Sequence, residues 1–238
     1  MSITATILLL ISAVTHAGWN FISKKEHPSQ AFFLVSNTIG VICVFPILIY
    51  FRNRIPLVSP SVWLFVVMSG LFLAAYLATL SGAYRSGDIS IAYPLARSLS
   101  VIFILFATLI LGKENQISWL LISGIILVVI GCIILPLNTF GNFHLVNYQN
   151  LCCYLAVLSA VNIAGYTIVD DEALRQLRQL TGTPFNPIEG TLVYMVLEGI
   201  SCSLWQCVFV FISLRERKNI SHILNDLKGP AAITGIGI

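Results

Sequence analysis

Few side chains in this 238-residue chain could do chemistry, and those that could recur at helical spacing. The stretch Tyr84–Ser100, YRSGDISIAYPLARSLS, places Arg97 just beyond a proline at the head of a long apolar run. Within it Ser90, Tyr93, Arg97 and Ser100 follow steps of three, four and three, which is one face of an α-helix. The same stepping joins Ser159, Asn162, Tyr166 and Asp170, and again Thr191, Tyr194, Glu198, Ser201 and Trp205. Ser12, His16, Trp19 and Ser23 form a fourth stripe, with Asn20 beside them. A guanidinium on such a face can hold an anion, and a carboxylate can take a proton or an amine. Alternatively Arg97 and Glu198 neutralise each other as a counter-ion pair. The aromatic and amide side chains around them suit a pocket for a small organic molecule.

Pro94 sharpens the Arg97 face. It has no N–H to give, so the carbonyl of Ser90 loses its helical partner. Gly87-Asp88 suits a tight turn with an N-cap, which starts the helix abruptly with the positive end of its dipole directed inward. At 1.5 Å per residue, Arg97 lies ~12 Å from the start of that helix.

The elements that must carry these stripes are membrane spans. Hydrophobic residues make up 57% of the chain and charged residues 10%, with a mean hydropathy of +0.90; a soluble domain carries roughly 25% charged residues. The charges cluster and leave apolar stretches of about 20 residues, enough to cross a ~30 Å hydrocarbon core. The expected spans are 3–23, 30–50, 62–83, 89–111, 119–137, 151–169 and 190–213, with an eighth starting at Gly229-Pro230. Segment 170–187 reads as a short surface helix and a loop, and RERKNISHILNDLK as a charged loop. Polar stripes cannot face lipid, so the first, fourth, sixth and seventh spans are expected to turn inward around a polar cavity. The mostly aliphatic second and fifth spans are expected to face lipid.

An internal repeat organises the spans. ISAVTHAGWN, residues 11–20, aligns without gaps to LSAVNIAGYT, residues 158–167. The copies open the first and sixth spans, so each repeat holds five helices, and an odd number forces the second copy to cross in the opposite sense. This is the inverted-repeat architecture of many secondary transporters. The expected division is a first repeat over 1–137, a loop over 138–150, and a second repeat over 151–238. Ten spans complete the pattern and about seven plus the start of an eighth are present, so the chain reads as a fragment, or as one completed by a second copy in a homodimer.

Several function classes drop out. A net charge of +3 without a basic tract offers nothing to nucleic acid. The six cysteines lie in or beside apolar runs without metal-ligand spacing. Asp170-Asp171 lacks the further aspartates of a metal site, and His16 has no catalytic partner within sequence reach, so no metal and no cofactor is expected. Basic residues divide five against seven between the two sets of loops, too even for the positive-inside rule to orient the chain.

The stretch GDISIAYPLARSLSVIFILFATLILGKENQISWLLISGIILVVIGCIIL resembles the EamA family of the drug/metabolite transporter superfamily. The positions that carry the likeness are Gly87, Asp88, Tyr93, Pro94, Arg97, Leu111, Gly112, Glu114, Gly124 and Gly131, together with HAGWNFISKK in the first span and AGYTIVD in the sixth. The resemblance implies an all-α integral membrane protein of two inverted five-helix halves, a non-enzymatic transporter of small metabolites or drugs in the cell (inner) membrane. It works by alternating access through a central polar cavity. The expected pathway residues are Arg97, Tyr93, Pro94, Trp19, Asn20, His16, Tyr166, Asn162, Glu198 and Tyr194, with Arg97 steadying a substrate anion. The rival reading is a polytopic membrane enzyme acting on a lipid phosphate, which would use Arg97, Asp170-Asp171 and His16.

Overall fold

The computed structural model of the chain describes residues 3–25, 29–112, 118–134, 149–180 and 185–226. Nine α-helices run through them: α1 Ile3–Lys25, α2 Gln30–Val44, α3 Pro46–Tyr50, α4 Pro60–Ser86, α5 Ile89–Ile110, α6 Trp119–Ile134, α7 Leu151–Arg178, α8 Pro187–Ile212 and α9 Leu214–Asp226. A 3-10 turn at Ile55–Leu57 precedes α4, and no strand occurs among the described residues. Among the described residues, five stretches are long and apolar enough to cross a membrane: Gln30–Tyr50, Pro60–Ser86, Ile89–Ile110, Leu151–Arg178 and Pro187–Ile212. The shorter apolar helix Trp119–Gly131 lies among them in sequence. The start of an eighth span at Gly229 and most of the 138–150 loop lie outside the described residues.

The helix starts are written in the sequence. Ser29 caps α2 by accepting from Phe32 N, and Asn150 caps α7 by accepting from Cys153 N. Asn186 and Glu189 form a capping box at α8, where Pro187 takes the first helical position. Asp88 stands at the N-cap of α5, as expected, but its side chain makes no capping bond. Pro94 lies inside α5, which continues through it to Ile110.

Three expectations are corrected. Residues 170–178 do not leave the membrane helix as a separate surface helix; they continue α7, because Ala173 and Leu177 bury themselves against α4 and α8. Residues 215–226 of the segment read as a charged loop belong to α9, tied down by the buried Glu216. The second span does not simply face lipid. Ala31 and Leu34 of α2 pack on Val210 of α8, and Asn37 Nδ2 donates to Gly199 O at 3.1 Å and Ser203 Oγ at 2.9 Å. By contrast, the fifth span, α6, leaves Leu120 and Leu127 exposed, as a lipid-facing helix should.

Contacts along the helices fix their directions. Successive positions on α4 meet positions descending α7: Ser61 bonds Gln176, Ser69 bonds Asp170, Phe72 touches Gly165, Thr79 bonds Ser159, and Gly87 faces Cys152. The two helices are therefore antiparallel in one unbroken register. The carbons of Phe72 come within 2.8 Å of where a Gly165 Cβ would stand, so only glycine permits that approach. The pairings of α2 with α8 likewise descend one helix as they climb the other, so these two are antiparallel. At the ends of α4 and α8, Arg54 meets Glu189 and Arg85 meets Glu216, so this pair runs parallel. The two larger apolar clusters of the bundle lie around Leu80, Tyr84, Ala92 and Ile163, and around Val62, Val66, Val193 and Leu197.

Candidate functional site

Where α4, α7 and α8 cross, polar groups replace the apolar filling. Ser69 is fully buried, and its hydroxyl lies 2.5 Å from Asp170 Oδ1 and 2.8 Å from Glu198 Oε1. Tyr194, itself buried, donates its own hydroxyl to Asp170 Oδ1 at 2.8 Å. Two carboxyl groups from different helices are thus gathered on one serine. The neighbouring Gly70 makes the approach possible: a Cβ there would collide with the Ser201 side chain and stand 2.8 Å from the backbone N of Cys202. Trp205 reaches back to α4 and donates Nε1 to Val67 O at 3.1 Å.

A second polar cluster lies further along α4, seven residues or about 10 Å from Ser69. Arg97 of α5 is half-buried, with its guanidinium 5.6 Å from the ring centroid of Tyr93. That is cation–π range. Tyr76 and Tyr166 are its other electrostatic neighbours, and Tyr166 also bonds Arg97. The rings of Tyr76 and Tyr166 tilt against each other with centroids 6.2 Å apart. Tyr166 sits one helical turn before Asp170 on α7, and its charged neighbours include Arg97 together with the Glu198 and Asp170 carboxyls. The result is a cationic, tyrosine-walled patch that leads into an acidic one.

Of the residues singled out from spacing, the structure gathers Arg97, Tyr93 and Tyr166 in the first patch and Glu198 and Tyr194 in the second. Glu198 takes its hydrogen bond from Ser69. Pro94 stands on α5 one turn before Arg97. Asn162 is buried but donates to Leu158 O of its own helix at 2.8 Å. The side chains of His16, Trp19 and Asn20 lie outside the described residues. Among the smaller hydroxyls, Ser100 bonds Arg97 O and Thr191 bonds Pro187 O, both within one helix, while Ser159 bonds Thr79 Oγ1 across helices.

The sequence reading passed over Ser69 and Tyr76 entirely. Both stand on α4, a span with no charge in its interior and hence no obvious stripe. Their seven-residue separation, two helical turns, was the available signal.

Neither the curated proteins nor the solved structures contain a match to this chain. The family model of the EamA-like transporter family, by contrast, matches residues 3–137, more than half of the chain, including the Asp88–Arg97 segment that delivers the cationic patch. The five long apolar helices suit a multi-pass integral membrane protein. The chain belongs to the EamA-like transporter family and is a membrane transporter of the drug/metabolite type.

Proposed function

We propose that this protein is a secondary transporter moving a small organic solute across the cell membrane by alternating access, with Arg97 holding an anionic group of the solute. The observation that carries the reading is the placement of Arg97 beside Tyr93 and Tyr166, in a span, on a path that continues to Asp170 and Glu198. Ionisable groups at this depth are costly, and within spans they mark substrate or ion pathways. The acidic end can accept an amine or a proton from the solute or from the medium, so amino-acid-like metabolites suit both ends. Tyr93, Tyr166 and Tyr194 shape the walls, and Trp19, Asn20 and His16 are assigned to the same pathway from α1.

Inverted halves would supply the rocking motion. In the alignment of residues 11–20 with 158–167, the second span corresponds to the seventh, and α2 and α8 do run in opposite senses. That supports a second EamA half over 151–238 and ten spans in the complete architecture.

The test is solute counterflow in proteoliposomes. Arg97→Gln is expected to abolish exchange of carboxylate-bearing solutes while the protein still inserts and stays monodisperse. Unchanged exchange would remove Arg97 from the pathway.

A further inference from the structure

Tyr76 is not explained by the packing around it. The residue is 4% exposed, yet its Oη finds no hydrogen-bond partner among the described residues. Buried hydroxyls nearly always have one, and leaving one unmade is costly. The ring is held in place by Tyr166 and by the α4 core around Leu77 and Leu80. Its charged neighbour is Arg97, with Tyr93 and Tyr166 completing the surroundings.

The chemistry of these groups narrows what could satisfy Tyr76. Arg97 has donors only. Even if it donated to the phenol oxygen, the phenol's own proton would still lack an acceptor. What suits a guanidinium and a phenol O–H together is an oxygen that carries negative charge. Tyrosine rings on either side keep the local dielectric low, which strengthens such a bond when it is made. One guanidinium fork plus one phenol matches the two oxygens of a carboxylate. A phosphate would call for more charge than the single arginine brings.

Resting on the reading of Arg97 as the anion holder, we infer that Tyr76 is the second donor of that site: its hydroxyl bonds a carboxylate oxygen of the solute and selects anionic solutes over their neutral isosteres. Tyr76 is thus a specificity residue delivered by α4, the helix that also supplies Ser69 to the acidic patch. One rigid helix, in register with α7, would then read both ends of the solute.

The experiment uses the purified full chain in lipid nanodiscs, titrated calorimetrically with small carboxylates from acetate to benzoate, with the corresponding amides, and with inorganic phosphate. Thermal unfolding is followed in parallel. The wild type is expected to prefer carboxylates to amides and to phosphate. Tyr76→Phe should weaken carboxylate binding about tenfold or more, weaken amide binding clearly less because its neutral oxygen is the poorer acceptor, and not lower the midpoint of ligand-free unfolding, since it removes only an unpaired hydroxyl. Wild-type carboxylate affinity in Tyr76→Phe, with loss in Arg97→Gln, would overturn the role of Tyr76 and leave that of Arg97 standing. A lowered ligand-free midpoint would make the hydroxyl structural and likewise overturn it. Carboxylate preference surviving in Arg97→Gln, or absent from the wild type, would overturn the underlying reading. Tighter binding of phosphate would overturn the assignment to carboxylates.

Discussion

Asp170 and Glu198, on different helices, meet on one hydroxyl: Ser69 Oγ lies 2.5 Å from the first and 2.8 Å from the second. A serine has one proton to donate, so the two carboxyls compete for it, and Tyr194 gives Asp170 a second donor. Removing the hydroxyl leaves Glu198 without that bond. Ser69→Ala is expected to cost about 1.5–3 kcal/mol of stability, the range for hydrogen bonds to charged groups. Solute flux should fall in the same variant. Chemical denaturation and flux measured on one preparation check both effects.

The α4–α7 register predicts a specific crosslink. Thr79 Oγ1 and Ser159 Oγ are 2.8 Å apart. In a background lacking the native cysteines, Thr79→Cys with Ser159→Cys should form a disulfide under mild oxidation. Thr79→Cys with Thr167→Cys should not, because Thr167 lies eight residues, about 12 Å, further along α7. A gel-shift assay after oxidation reads the difference.

Close approach at Gly70 makes a steric prediction. Gly70→Val places methyl groups where Ser201 and the backbone of Cys202 already stand. A clash with backbone cannot be relieved by a rotamer change, so a loss of about 3 kcal/mol or more is expected. Gly124→Ala on α6, with nothing within 4 Å of its added Cβ, should be neutral or stabilising by up to about 1 kcal/mol. Thermal unfolding in nanodiscs compares the two.

Glu216 ties three elements together. It accepts from Ala31 N at the start of α2, pairs with Arg85 at the end of α4, and belongs to α9. Its side chain is 3% exposed. Glu216→Ala therefore strips a buried cap and an ion pair at once, and a cost of about 2–4 kcal/mol is expected. Glu172→Ala removes the largely exposed pair with Arg175 and the bond Glu172 accepts from Gln176 within the same helix, a loss within about 1 kcal/mol. Hydrogen exchange at the start of α2 should rise in the first variant and not in the second.

The five long apolar spans were legible to within a few residues at most ends, because apolar length and punctuation by Pro, Gly and charge are local properties. The stripe residues Arg97, Tyr166, Tyr194 and Glu198 were legible for a similar reason: helical period puts them on chosen faces. What the period could not supply was which faces meet. Ser69 matters only because α4 crosses α7 and α8 at that level, and a lone serine in an apolar run looks the same whether or not carboxyls face it. The continuation of α7 past Asp170 was hidden likewise. DDEALRQLR reads as a surface segment until Ala173 and Leu177 are seen against α4 and α8.

Solute exchange by proteoliposomes holding the purified chain, preloaded with unlabelled carboxylate-bearing metabolites and tested with labelled ones outside, addresses the central claim most directly. The account predicts saturable counterflow for at least one carboxylate, absent from protein-free liposomes and lost in Arg97→Gln. Counterflow that proceeds equally with Arg97 replaced would contradict it.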